Sequence, residues 1–238
     1  MHVHPLGSNP VTGDLILRFG SPAPTLASMA EASGEPVFSV GAVLLAAGRS
    51  TRMGRPKLLL PWGHTSILGH LIEQWRSLRV AHTVVVCARG DREILSELRR
   101  LDFPPEDCIQ NVTSERGMFS SIQCAARWEG WEESLSHWAI VLGDQPQLRL
   151  KTLRALLDFS VARTGTVSQP EWRGRRRHPV LLPKAAFENL ARSAASNLKQ
   201  FLLAYEVATC ELDDPGLEVD IDSPEDYQKA LAVAASQE

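Results

Sequence analysis

Short apolar runs alternate with amphipathic segments along the chain from Gly41 onward. Apolar residues recur at helical spacing between Thr65 and Leu78, whereas β-branched residues dominate the run from Thr83 to Cys87. Strands that alternate with helices favour right-handed βαβ units, so we expect an α/β fold with a mostly parallel sheet. The pattern predicts strands at 41–45, 83–87, 108–112, 138–142, 166–169, 179–182 and 206–212, and helices at 65–78, 93–101, 117–128, 152–162, 185–190, 197–203 and 225–235.

Composition narrows the class of protein. The chain has 238 residues, of which 44% are hydrophobic and 22% are charged, and its formal net charge is −3. This balance is typical of a soluble globular domain and argues against nucleic acid as a partner. The sequence contains no apolar run of about 18 residues and no secretory leader, so we expect no membrane association and a cytoplasmic location. The 4 cysteines form no CxxC pair and are expected to be buried, reduced thiols.

The chain divides into two parts by composition. Residues 1–38 are rich in His, Pro, Gly, Ser and Ala and contain one short apolar patch, Leu15 to Leu17. We expect a flexible N-terminal extension there. Strand and helix patterns fill residues 39–238, which we expect to form one folded domain.

The segment LAAGRSTRMGRPK, from Leu45 to Lys57, follows the first predicted strand and has no hydrophobic periodicity. Backbone amides next to glycine, with cations on both sides, suit a polyphosphate. The spacing matches neither GxGxxG nor GxxxxGK[ST], which removes the main support for a dinucleotide-binding fold or a P-loop. Arg52 and Lys57 are the candidates for contacting phosphate oxygens. The alternative is a solvated loop with scattered charge.

Acidic residues follow two other extended segments. Asp144 ends the apolar strand in VLGDQP, and Asp220 and Asp222 alternate in VDIDSPEDY. Mg²⁺ prefers oxygen ligands and often uses one or two carboxylates together with substrate phosphates. Asp144 is therefore a candidate metal ligand, and Asp220 and Asp222 are candidates for a second ligand. The alternatives are a turn before Pro146 and exposed loop acids.

Two further segments have polar residues that suit substrate binding. ERGMFSSIQCA places Gly117 and Ser121 at a predicted helix start, where they would hold a ribose or a base, or simply cap the helix. WRGRRRHPV predicts a solvated hairpin with four arginines, which would suit an anionic second substrate. His178 stands next to that hairpin, and either contacts substrate or ends a strand.

Together, LAAGRSTRMGRPKLLLPWG, GMFSSI, LGDQP, HPVLL and DIDSPEDY resemble the MobA-like nucleotidyltransferases, and most closely the molybdenum cofactor cytidylyltransferases. The resemblance covers about residues 40–235. It implies a single nucleotidyltransferase domain at 39–238 with a Rossmann-like three-layer sandwich. It further implies transfer of a nucleotidyl group from a nucleoside triphosphate to a phosphorylated acceptor, with Mg²⁺ as cofactor and release of pyrophosphate. An acceptor that ends in a phosphate is already an anion, so the lack of an obvious general base is expected.

The resemblance also implies a role for individual residues. The implied catalytic residues are Arg52, Lys57 and Asp144. The implied metal ligands are Asp144 and Asp222. The implied nucleotide-binding residues are Leu45, Ala46, Ala47, Gly48, Arg49, Ser50, Lys57, Asn111, Gly117 and Ser121. The implied acceptor-binding residues are Gln145, Arg177 and His178.

Ala47 bears on the choice of nucleotide, because guanylyltransferases of this group have LAGG where this chain has LAAG. This favours CTP, with a molybdopterin-type acceptor and a molybdoenzyme as recipient of the product. Arg177 stands where relatives have glycine, so a more anionic acceptor is also consistent with the sequence. Three alternatives stay open: a guanylyltransferase or another NTP transferase, a NAD(P)H-dependent oxidoreductase on the same scaffold, and a non-catalytic insertion chaperone that docks through exposed Trp128 and Trp131.

Overall fold

A computed structural model describes residues 38–48 and 50–236 of the chain. The predicted extension, residues 1–38, lies outside the described residues apart from Phe38. The candidate nucleotide-binding residue Arg49 also lies outside them.

The part of the chain that the structure describes contains ten strands and seven α-helices. The strands are β1 (Val40–Leu45), β2 (Pro61–Trp62), β3 (Thr65–Ser66), β4 (His82–Ala88), β5 (Cys108–Asn111), β6 (His137–Leu142), β7 (Val167–Trp172), β8 (Arg175–Arg176), β9 (Val180–Pro183) and β10 (Val207–Glu211). The helices are α1 (Ile67–Ser77), α2 (Arg92–Arg100), α3 (Met118–Ala126), α4 (Leu150–Val161), α5 (Lys184–Leu190), α6 (Leu198–Leu202) and α7 (Pro224–Ala235).

The main sheet has the strand order β10-β7-β9-β6-β1-β4-β5, with β8 paired to β7. Strand β1 pairs in parallel with β4 and with β6, β4 with β5, and β7 with β10. Strand β9 runs antiparallel to β6 and β7, and β8 is antiparallel to β7. The sheet is therefore mixed but mostly parallel, as the sequence pattern predicts.

Helices cover both faces of this sheet. Successive side chains of a strand point to opposite faces. Leu44 belongs to a hydrophobic cluster that includes residues of α1, α2, α4 and α7, whereas Val43 belongs to a second cluster that includes residues of α3, α5 and α6. Both faces being buried explains why the strand VGAVLL reads as a continuous apolar run. The α/β three-layer architecture that the motifs imply is confirmed.

Short elements depart from the predicted boundaries. Thr65 was expected in a helix, but it pairs with Trp62 in a small antiparallel sheet. Helix α1 starts after Ser66, whose Oγ accepts a hydrogen bond from Gly69 N at 3.0 Å. A two-residue pairing carries too little periodicity to be predicted from hydrophobicity.

Two other expectations concern side-chain exposure. Trp128 and Trp131 are half-buried and pack edge-to-face, with ring centroids 5.1 Å apart, and Trp131 also packs against the core residue Trp138. They therefore do not form the exposed pair that an insertion chaperone would use. The four cysteines are free thiols, as expected, but among them only Cys87 is fully buried. No described helix is long and apolar enough to cross a membrane.

The carboxyl ends of β1, β5 and β6 meet at one edge of the sheet, because these strands are parallel. The antiparallel strand β9 begins at the same edge, so His178 reaches it from the other direction. Ligands of open α/β sheets bind at the carboxyl ends of the strands. The fold therefore gathers the predicted motifs around this edge.

Candidate functional site

A cavity of about 380 Å³ opens at the carboxyl edge of the sheet. It lies between the loop after β1 and the start of α3, and Lys57 and Asp144 stand at its wall. The residues that line it are Leu45, Ala47, Gly48, Lys57, Leu58, Ser114, Glu115, Gly117, Met118, Ser121, Leu142, Gly143 and Asp144.

Lys57 lies at the centre of a charged cluster. Its Nζ donates to Asp144 Oδ2 at 2.8 Å, to the Ile221 carbonyl at 2.9 Å and to Asp222 Oδ1 at 3.3 Å. Three acceptors satisfy all three protons of the ammonium group. Residues that are 165 positions apart in the sequence thus meet at one nitrogen.

The loop after β1 is fixed by its own contacts. Ser50 Oγ accepts a hydrogen bond from the Lys57 backbone amide at 2.9 Å, and the Ala46 amide donates to Val86 O at 2.8 Å. Arg52 extends to the rim, where its Nη2 donates to Asp222 Oδ2 at 2.7 Å. Arg52 is largely exposed there, since 72% of its side chain is accessible. The loop therefore presents one half-buried and one exposed cation to the same side of the cavity.

Gly143 allows Asp144 to approach β1. A Cβ at this position would lie 2.6 Å from the Leu45 carbonyl oxygen and 2.9 Å from a methyl group of Leu58. Both neighbours belong to the cavity wall. Glycine is therefore required here for the carboxylate to stand beside Lys57.

The carboxylates fit a hard divalent cation. Asp144 Oδ1 is buried, and within the described ranges it has no hydrogen-bond partner. Buried carboxylate oxygens usually have a partner, so this unpaired oxygen is a candidate for binding a ligand that the protein itself does not supply. No group of three or more His, Cys, Asp or Glu residues that could hold a metal occurs among the described residues. Mg²⁺ sites typically have one or two carboxylates, and phosphate oxygens and water complete the coordination shell.

Asn111 lies behind the cavity rather than in its wall. Its Nδ2 donates to Ser120 Oγ at 2.9 Å and to Ser121 Oγ at 3.0 Å, while its Oδ1 accepts from the amide and hydroxyl of Thr113. These four contacts use the full capacity of the side-chain amide. Asn111 therefore holds the 113–117 loop against α3.

Gly117 ends that loop. Its φ of +91° lies in the region that favours glycine. Gly117 and Ser121 both line the cavity, so the helix start faces the space where a ligand would lie.

Gln145, Arg177 and His178 surround the outer side of Asp144. Gln145 Nε2 donates to Asp220 Oδ1 at 2.8 Å, and Arg177 forms an ion pair with Glu218 at 2.8 Å. Burial, and then the neighbouring Asp144 carboxylate, raise the pKa of Asp220. These side chains do not belong to the wall of the nucleotide-sized cavity. They form a separate polar surface beside it, in which Gln145 is buried and Arg177 and His178 are half-buried.

The His178 ring is neutral near pH 7, because burial lowers its pKa. Its Nδ1 is 3.4 Å from the Ile140 carbonyl, and this contact assigns the proton to Nδ1. Nε2 is then left as an acceptor.

Several lining residues were not singled out by sequence reasoning. Leu58, Met118 and Leu142 give the cavity apolar surface, and Ser114 and Glu115 also line it. Leu58 directly follows the basic loop, and Glu115 precedes Gly117, so proximity to these motifs was the available signal. No sequence signal indicated the Ile221 carbonyl, since backbone acceptors have no sequence signature.

Comparison with known proteins identifies the family of this chain. The family model of the MobA-like NTP transferase domain matches residues 42–209. The fold and the match define a nucleotidyltransferase. The chain belongs to the MobA-like NTP transferase family.

Individual relatives are similar over most of their length. The chain is 27% identical over 190 residues to the molybdenum cofactor cytidylyltransferase of Escherichia coli (strain K12), which covers 79% of this chain and 94% of that protein. The crystal structure of the Mycobacterium tuberculosis Rv0371c homologue from Mycobacterium sp. strain JC1 has a TM-score of 0.66 and 25% identity, covering 84% and 98% of the two chains. Rv0371c from M. tuberculosis H37Rv in complex with manganese has a TM-score of 0.61 and 22% identity, over 82% and 98%. At that identity the likeness shows the fold alone.

Proposed function

We propose that this protein is a Mg²⁺-dependent cytidylyltransferase that transfers CMP from CTP to the terminal phosphate of a molybdopterin-type acceptor and releases pyrophosphate. The product would serve a molybdoenzyme. The observation that carries the proposal is the meeting of Lys57, Asp144 and Asp222 at the wall of the 380 Å³ cavity. A cavity of that size with convergent charged groups is the usual form of a small-molecule site.

The nucleotide and the acceptor are proposed from two supports. The E. coli relative, similar over 94% of its length, is a molybdenum cofactor cytidylyltransferase. Ala47 lines the cavity, and its methyl group reduces the space in which a base would lie. A cytosine is smaller than a guanine, so the residue favours CTP.

The protein's own groups account for the transfer step. An oxygen of the acceptor phosphate attacks the α-phosphorus of CTP, and the bond to the pyrophosphate oxygen breaks. The attacking oxygen is already anionic, so no general base is needed. Lys57 and Arg52 lie where they would offset the charge of the leaving pyrophosphate, and positioning with electrostatic stabilisation is the usual source of rate in such reactions.

Asp144 and Asp222 are the residues that would hold Mg²⁺. Bound Mg²⁺ would offset the negative charge of the phosphate oxygens. Asp144 provides the buried oxygen, and the loop around Ile221 is fixed against it by a hydrogen bond from Ile221 N to Asp144 O at 3.0 Å.

The polar surface around Gln145 and Arg177 is the proposed acceptor side. Arg177 is half-buried and cationic, and the neutral His178 leaves Nε2 free to accept a hydrogen bond from a pterin N–H. The surface adjoins Asp144, which the acceptor phosphate must approach. Position and charge together support this assignment.

The test is pyrophosphate release from each of the four nucleoside triphosphates, with and without molybdopterin and Mg²⁺. We expect release from CTP that requires both molybdopterin and Mg²⁺. Asp144→Asn should lower kcat/KM by about 100-fold or more, since it removes a charge at the reacting centre.

The matched control is Asp158→Asn, which makes the same change at an exposed position on α4. It should leave kcat/KM within about twofold, as expected for a surface change. A preference for GTP would refute the cytidine assignment. Full activity in Asp144→Asn would refute the site.

A further inference from the structure

The ammonium group of Lys57 lies between two carboxylates. One oxygen of Asp144 and one of Asp222 are both within 3.3 Å of its Nζ. The lysine side chain is only 15% exposed, so it reaches this position from inside the site rather than from solvent. Lys57 thus contacts both acids at once, while Arg52 pairs with the second oxygen of Asp222.

A divalent metal bound to both acids needs an oxygen of Asp222, and cations hold both of these oxygens: Lys57 at Oδ1 and Arg52 at Oδ2. Mg²⁺ and Mn²⁺ bind carboxylate oxygens at about 2.0–2.2 Å, which is too close for an ammonium nitrogen to remain between them. The two cations therefore exclude each other at this point. A metal held by both acids therefore competes with Lys57 Nζ for the space between them.

A second anion is needed to receive the displaced lysine. Lys57 lines the same cavity as Ala47 and Gly48, so a triphosphate in that cavity would lie within its reach. Arg52, which holds the second oxygen of Asp222 at 2.7 Å, would make the same move. Without a triphosphate, moving Lys57 leaves its charge without a partner in a partly buried place, which is costly.

We propose that Lys57 is a placeholder for the divalent cation: it holds Asp144 and Asp222 together in the nucleotide-free protein and yields to metal only when a triphosphate arrives. Metal binding is therefore coupled to nucleotide binding. This inference rests on the proposed metal site at Asp144 and Asp222. In this inference Lys57 has a positioning role, which precedes any contact with the leaving pyrophosphate.

The test is Mn²⁺ binding to the full-length protein without nucleotide, followed by electron paramagnetic resonance of free Mn²⁺ and by calorimetry. We expect wild type to bind Mn²⁺ weakly and Lys57→Met to bind it at least tenfold more tightly. The thermal unfolding midpoint of Lys57→Met should also rise more on addition of Mn²⁺, because a ligand of the native state stabilises it. Lys57→Gln provides a second variant that keeps a hydrogen-bond donor.

Arg55→Met is the matched control, since Arg55 is an exposed cation in the same loop. It removes the same charge without vacating the position between the acids. An equal gain in Mn²⁺ affinity in Arg55→Met would overturn the placeholder and leave only a general charge effect. Equal affinity in wild type and Lys57→Met would overturn it as well.

The double variant Lys57→Met/Asp144→Asn separates the inference from its foundation. Loss of Mn²⁺ binding in the double variant places the metal at Asp144 and supports both claims. Retention of tight binding would refute the metal site itself. Wild type that binds Mn²⁺ as tightly as Lys57→Met, but loses binding in Asp144→Asn, would refute the placeholder alone.

Discussion

Lys57 and Asp144 show how single side chains define this site. The ammonium group of Lys57 has all of its protons satisfied, whereas Asp144 keeps one buried oxygen that has no hydrogen-bond partner among the described residues. Satisfied groups hold the site in shape, and an unsatisfied group is available to a ligand. Under the proposed function, Lys57 organises the nucleotide-free site and Asp144 is the residue available to bind metal.

Ala47 gives the first prediction at this scale. Ala47→Gly removes a methyl group from the cavity wall and should make more room for a purine. We expect the ratio of kcat/KM for CTP to that for GTP to fall about tenfold, which is a typical value for one methyl-sized change in a pocket. The ratio is its own control, since a general loss of activity cancels. An unchanged ratio would show that the base is read elsewhere.

Asn111 gives the second prediction. Asn111→Ala leaves two serine hydroxyls and the Thr113 amide without their partner, so the 113–117 loop should loosen. We expect CTP to bind about tenfold more weakly by calorimetry, within the cost of a lost buried hydrogen bond. Gln110→Ala, at the exposed neighbour on the same strand, is the control and should bind CTP as wild type does. Unaltered binding in Asn111→Ala would argue against a role for the loop.

At the scale of elements, the junction of β1 and β6 positions the acid. Gly143→Ala would place a methyl group 2.6 Å from the Leu45 carbonyl, and backbone atoms can yield little. We expect a loss of about 1–3 kcal/mol in the free energy of unfolding, measured in urea. The kcat/KM should fall too, because Asp144 follows directly.

Gly165→Ala is the matched control for that substitution. A Cβ on Gly165 would meet no atom within 4 Å. Its unfolding free energy should stay within about 0.5 kcal/mol of wild type, as for most open surface positions. Equal effects at the two glycines would contradict the steric argument.

The main elements could be predicted from sequence because their signal is local. The runs at 41–45 and 138–142 are apolar for five residues each, and they lie within β1 and β6. The pairing of Lys57 with Asp222 could not be predicted, since no pattern states how residues 165 positions apart approach each other. The antiparallel direction of β9 between β6 and β7 has no sequence signature either. The residue types in the sequence indicate the chemistry of the site, but they do not predict which of these residues contact one another.

At the scale of the whole molecule, His137 links stability to pH. It is only 1% exposed at the amino end of β6, and burial lowers its pKa from 6.5 to about 4. The unfolded chain therefore binds a proton between pH 6.5 and pH 4 that the folded chain does not. Stability from this residue is complete above pH 6.5 and is lost as the pH falls toward 4.

The substitution His137→Gln should make the free energy of unfolding less dependent on pH between pH 6.5 and pH 4. We expect the free energy of unfolding of wild type to fall more steeply from pH 6.5 to pH 5, by about 1.4 kcal/mol per pH unit, than that of the variant. Urea titrations at several pH values measure this slope. His64→Gln is the control, since the His64 side chain is 80% exposed, and it should retain the wild-type slope. Parallel slopes for wild type and His137→Gln would contradict the assignment.

The central claim is that the cavity, Lys57 and the two acids form one nucleotide and metal site. The most direct measurement is a crystal structure with a non-hydrolysable CTP analogue and Mn²⁺, using the anomalous signal to locate the metal. The account predicts one anomalous peak bonded to Asp144 and Asp222, the base beside Ala47, and Lys57 Nζ on the triphosphate. A metal bound elsewhere, or a nucleotide outside the cavity with Lys57 still between the two acids, would contradict it.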